Sequence, residues 1–87
     1  MDVEQLKNIG PTTAQWLRDI GIHTKADLEE IGAVMAYKVI QHQKPTRVNL
    51  LLLYALQGAL LDVEWNALPP GVKEQLRHDA KAPLTVL

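Results

Sequence analysis

The sequence predicts an all-α fold of five or six short helices, a helix-hairpin-helix-like tandem repeat packed around a central apolar helix. Three observations lead there. Apolar residues recur at three- and four-residue spacing, without the sustained alternation that marks strands. Turn residues punctuate the chain at Gly10-Pro11, Gly21, Gly32, Lys44-Pro45, Pro69-Pro70-Gly71 and Pro83. The segment from Val48 to Leu61 is uncharged throughout.

Each element has its own signal. Asp2 with Gln5 reads as a capping box opening a first short helix that stops at Gly10. Pro11 suits the first position of a second helix reaching Ile20, and Gly21 suits the left-handed position just past its end. Thr24 with Asp27 starts a third helix, ended by Gly32, and Ala33 to about His42 makes a fourth. Arg47 or Asn49 begins the apolar helix running to Leu61, and Pro69 to about Lys81 supplies a sixth. Residues 83–87 read as a frayed tail of a single domain spanning 1–87.

An internal repeat links the first four helices. Leu6-x-x-Ile9-Gly10-x-x-x-Ala14-x-x-Leu17 returns as Leu28-x-x-Ile31-Gly32-x-x-x-Ala36-x-x-Val39. In a tight helical hairpin, glycine takes the turn because it has no penalty at positive φ. A small alanine then lets the two axes approach. Gly10 and Gly32 are therefore expected at positive φ as structural turn residues, each intolerant of valine. The helix over Leu50 to Leu61 is apolar nearly all round, which places it centrally, with Leu53 buried. Its small residues Ala55, Gly58 and Ala59 share a side suited to a close neighbour, and Gln57 reads as a half-exposed amide. Trp16 and Trp65 are expected to pack on the core, with a role as interface anchors the alternative.

Composition narrows the function. A chain of 87 residues buries only about 60–65% of its unfolded surface, enough for one modest core. With no cysteine, disulfides, thiolate zinc sites, iron–sulfur clusters and a cysteine nucleophile are excluded, and a cytoplasmic location is expected. The start, Met1-Asp2-Val3-Glu4, is acidic where a signal peptide would be basic. The apolar segment falls short of the roughly 20 residues that span a bilayer. No membrane association is expected.

Catalysis finds little support. His23, His42 and His78 lack paired-ligand spacing, and the chain has no serine. Glu29-Glu30 and Asp62-x-Glu64 are acidic pairs whose members do not face each other on a helix. No glycine-rich phosphate loop occurs. The expectation is a non-enzyme with no cofactor and no metal.

Net charge is −1 and the sequence pI about 6.3, whereas dedicated nucleic-acid domains exceed about 9. The distribution matters more. Between Ile31 and Leu61 there is no acid, only Lys38, Lys44 and Arg47. These bases, with His42, are the candidate contacts for nucleic acid or another partner. DNA is disfavoured at the hairpin turns, since Pro11 has no N–H to offer a phosphate.

Several strings resemble, in order, the C-terminal domain of the TfoX (Sxy) family. They are Leu6-Lys7-Asn8-Ile9-Gly10-Pro11-Thr12-Thr13-Ala14-Gln15-Trp16-Leu17, Gly21-Ile22-His23-Thr24, Asp27-Leu28, Ile31-Gly32-Ala33, Leu53-Tyr54-Ala55-Leu56-Gln57-Gly58-Ala59-Leu60 and Trp65-Asn66-x-Leu68-Pro69. The match runs from about Leu6 to Leu76. It implies an all-helical domain and kinship with bacterial competence regulators that act on transcription alongside the cyclic-AMP receptor protein. Full-length members carry a separate N-terminal domain for which this chain has no room, so activation itself is not transferred, and the resemblance supplies no catalytic residue. Two function classes stay open: a non-enzymatic module recognising another protein, and a weak, largely non-specific DNA-binding accessory. Because its apolar helix is hard to cover in so small a domain, a homodimer is a further option.

Overall fold

A computed structural model describes residues 1–82, the expected tail lying outside them. Five α-helices follow a short 3₁₀ turn at Val3–Gln5: α1 (Pro11–Asp19), α2 (Lys25–Ile31), α3 (Ala33–Gln43), α4 (Leu50–Leu61) and α5 (Pro70–Lys81). A second 3₁₀ turn, Trp65–Ala67, precedes α5. Among the described residues there is no strand, and one isolated bridge pairs Asp2 with Thr24.

The helix boundaries follow the local chemistry. Asp2 and Gln5 form the expected capping box, although the helix they open ends after one 3₁₀ turn. Pro11 occupies the first turn of α1. At the end of α1, Gly21 takes φ 87°. There the Gly21 and Ile22 N–H groups donate to the Arg18 and Leu17 carbonyls, satisfying the last turn. Thr24 and Asp27 cap α2 reciprocally, and the Asn49 side chain accepts from the Leu51 N–H to open α4. Asp62, at φ 57°, ends α4 in the left-handed region without a glycine.

The two hairpin glycines are not equivalent. Gly32 has φ 84° and ψ 156°, a region essentially closed to other residues, and joins α2 directly to α3. Gly10 is extended instead, with φ −91° and ψ −179°, contrary to the expected positive φ. The cause is local. A residue before proline is pushed out of the α region into extended backbone, so the turn is made two residues earlier by Asn8 at φ 71°. Both glycines do share one role: their carbonyls accept the first bond of the helix that follows, from Ala14 and from Ala36. A Cβ at Gly10 would meet nothing within 4 Å. Gly32→Ala should therefore cost about 1–3 kcal/mol of backbone strain, while Gly10→Ala should stay within about 0.5 kcal/mol of wild type. Urea denaturation of the two variants checks this asymmetry.

The core is shared by α3 and α4. Helix α3 packs against α1, α2, α4 and α5, and α4 against α2, α3, α5 and the second 3₁₀ turn. Leu17, Leu28, Ile40, Leu53 and Leu56 are fully buried at its centre. The repeat survives in packing only in part. Leu6 and Leu28 are buried, as are Ala14 and Ala36, but Ile31 is exposed where its counterpart Ile9 is buried. Nor is α4 covered all round. Leu52, Leu53 and Leu56 face the core, whereas Leu50, Leu51 and Leu61 are 40%, 44% and 53% exposed. Gln57 is half-buried.

Candidate interaction site

The four candidate contacts divide between two places. Lys38 and His42, one turn apart on α3, border an open depression of about 620 Å³ beside Ala80 and Ala82 at the end of α5. The Lys38 ammonium is committed there, donating to the Ala82 carbonyl. Lys44 and Arg47 do not line that depression and lie instead over the ring of Trp16 on α1, at 5.8 and 6.0 Å from its centroid. The acid-free third of the chain is therefore not one basic patch.

The second location is more structured. A cleft of about 230 Å³ opens between α1, the start of α4 and the second 3₁₀ turn. Leu52, Ala55 and Val48 are its buried apolar lining, while Arg47, Leu51 and Trp65 line it from exposed positions. None of its lining residues is acidic. Lys73 of α5 lies 5.4 Å from the ring centroid of Trp65 and 5.5 Å from that of Tyr54. Cations over aromatic rings gain about 0.5–1 kcal/mol at exposed sites, so these contacts orient the bases without neutralising them. Among the described residues Lys44, Arg47 and Lys73 form no ion pair. The ion pairs found join Arg18 to Asp2 and Glu4, and Lys25 to Glu29.

Asn8 builds one wall of this cleft, and sequence reasoning did not single it out. Its Nδ2 donates to the Val63 carbonyl at 2.8 Å and to the Ala55 carbonyl at 3.4 Å. Its Oδ1 accepts from the Trp65 N–H at 3.1 Å. One side chain thereby ties the first hairpin turn to the end of α4 and sets where Trp65 sits. Gly58 makes this possible, because a Cβ there would lie 2.5 Å from Asn8 Nδ2 and 2.6 Å from the Val63 oxygen. The signals were present: asparagine tolerates the left-handed region better than most residues, and a glycine inside an apolar helix marks a close approach.

The perturbed ionisable groups serve the fold. Backbone donation from Glu4, then the Arg18 guanidinium, holds Asp2 below the ordinary carboxylate value of 3.8. Backbone donation from His23 and Thr24 does the same for Asp27. Burial pushes the Tyr37 hydroxyl up from 10.0, and hydrogen bonds to Glu4 and Asp2 push Arg18 up. None of the four lines the cleft. Among the described residues, no three His, Asp or Glu side chains converge as a metal site, and no helix is long and apolar enough to cross a membrane.

Comparison with known proteins agrees with the overall helical fold. The family described as the TfoX C-terminal domain matches residues 1–80. A crystal structure of an uncharacterised protein from Listeria monocytogenes, in a triclinic form, superposes with a TM-score of 0.83 at 31% identity, covering 88% of this chain and 86% of that one. A tetragonal crystal form of a Listeria monocytogenes protein of unknown function gives 0.81 at 32% identity, covering 87% and 93% respectively. No curated protein matches.

Proposed function

Since the chain belongs to the TfoX C-terminal domain family, we propose that it is a non-enzymatic interaction module, engaging another protein through its helix surfaces in the control of transcription or competence. The observation that carries this reading is the solvent-open cleft whose largely apolar lining includes the exposed Leu51 and Trp65. Apolar surface gathered beside a groove marks contact sites more often than leucines scattered singly.

A second reading, a weak DNA-binding accessory, draws on the absence of acids between Ile31 and Leu61. The division of the bases weakens it. Lys38 is engaged with Ala82, leaving Lys44 and Arg47 as a pair, against the six to ten phosphate contacts that give strong binders their steep salt dependence.

A low-salt titration with duplex DNA separates the two. Trp16 lies beneath both bases, so its fluorescence reports any phosphate contact there. The expected result is no change in fluorescence or amide shifts, together with nuclease-resistant capture of a protein partner from the native cell. A saturable, salt-sensitive DNA complex that disappears in the Lys44→Glu, Arg47→Glu double variant would reverse the preference.

A further inference from the structure

We propose that the cleft between Trp16 and Trp65 receives a bulky apolar side chain from an acidic segment of a partner protein, with the carboxylates of that segment meeting Lys44 and Arg47. This rests on the protein-partner reading above and specifies its surface and the chemistry of its occupant.

Size comes first. At about 230 Å³ the cleft is smaller than the roughly 300–1,000 Å³ of small-molecule sites, and it suits one or two inserted side chains. Its lining is apolar within, and Leu51 is 44% exposed while the cleft stands open. An inserted leucine or aromatic ring would cover Leu51 and Trp65 together.

Charge selects the rest of the segment. Arg47 lines the cleft and, like Lys44, lies over the Trp16 ring. Neither has a carboxylate partner among the described residues. The start of α4 also borders the cleft, and its dipole adds partial positive charge there. Opposed only by lining residues without acids, these groups favour carboxylates and repel a basic segment.

Two other occupants fit less well. A nucleic-acid base would need a free aromatic face for stacking, yet Lys44 and Arg47 lie over the Trp16 ring and Lys73 over that of Trp65. A second copy related by a two-fold axis through this face would bring Lys44 and Arg47 of both copies together, like charge against like.

Selection of random dodecapeptides displayed on phage, against the whole chain, tests the proposal. The expected pool is rich in Asp and Glu around at least one Leu, Phe or Trp. Synthetic peptides from it should shift the indole N–H signals of Trp16 and Trp65 in NMR spectra. They should bind at least tenfold more weakly to Arg47→Glu and to Leu51→Lys, and more weakly as salt rises. Both substitutions are at exposed positions, and unchanged melting temperatures confirm folded variants. Selected peptides that are neutral or basic, an empty selection, or shifts confined to other surfaces would overturn the proposal. So would oligothymidylate competing for the same indole signals, or a dimer in sedimentation equilibrium that Leu51→Lys dissociates. If a cellular partner is captured equally well by wild type and both variants, the cleft assignment fails while the module reading stands. If no partner is captured yet the peptides bind as expected, the reverse holds.

Discussion

Replacing Leu53 by alanine is expected to destabilise the domain by about 2–5 kcal/mol. Leu53 is fully buried on the core side of α4. Truncation there loses the transfer energy of the removed methyl groups and leaves a cavity that rigid neighbours fill only partly. Native domains have only about 5–15 kcal/mol in hand, the smallest generally the least. For a chain of this size each kcal/mol lowers the midpoint by roughly 4–8 °C, so the melting temperature should fall by about 10 °C or more. Leu61 is the control. It sits on the same helix but is 53% exposed, and Leu61→Ala should remain within about 0.5 kcal/mol of wild type. Equal losses in the two variants would contradict the packing of α4.

Gly58→Ala is expected to destabilise by about 1–3 kcal/mol, the usual cost of forcing atoms into a filled space. In an open helix the same change would stabilise by up to about 1 kcal/mol, since alanine is the better helix former. The sign is therefore diagnostic. The new methyl group would collide with the Asn8 amide and with the Val63 carbonyl, which is backbone and cannot swing aside. Relief of that collision separates Asn8 from Val63, and with it the turn that holds Trp65. Asn8→Gly keeps the left-handed turn while removing the amide. Combined with Gly58→Ala, it should cost less than the two single losses added, because both act on one contact. Strict additivity in urea unfolding would show that the glycine is there for another reason.

Much of the fold was legible in the sequence because the signals were local. Capping pairs at Asp2/Gln5 and Thr24/Asp27, Pro11 at the start of α1 and Gly21 at its end each act within one turn of backbone, and each appears where the residues put it. Gly10 departs from the repeat because the two copies do not share one geometry. Proline follows only the first glycine, and it moves the turn to Asn8. The exposure of Leu50, Leu51 and Leu61 was invisible to a pattern in which every face of α4 looks buried. The site was legible only in part. Lys44 and Arg47 were identified as cations, but their seat over Trp16 joins residues from separate helical segments. Trp65 was expected to pack on the core; it is 36% exposed at the cleft edge, placed there by a bond to Asn8 across most of the chain.

The bonds that Asn8 makes to Val63 and Trp65 bear on the order in which the chain folds. Joining residue 8 to residue 63 closes a loop with a sequence separation of 55, and its entropy exceeds that of closing one helical turn by about 2 kcal/mol. Helical pairs that are neighbours in sequence, such as α2 with α3 and α3 with α4, close far shorter loops and belong to the rapid phase expected of helical domains. The Asn8 clasp, which closes a longer loop, is expected to form after them, so Asn8→Gly should speed unfolding and leave the refolding rate nearly unchanged in stopped-flow measurements. Its strength is then felt in how slowly the native chain comes apart, with little influence on how fast it forms. The cleft wall would be the last part of the molecule to set, and the first to loosen.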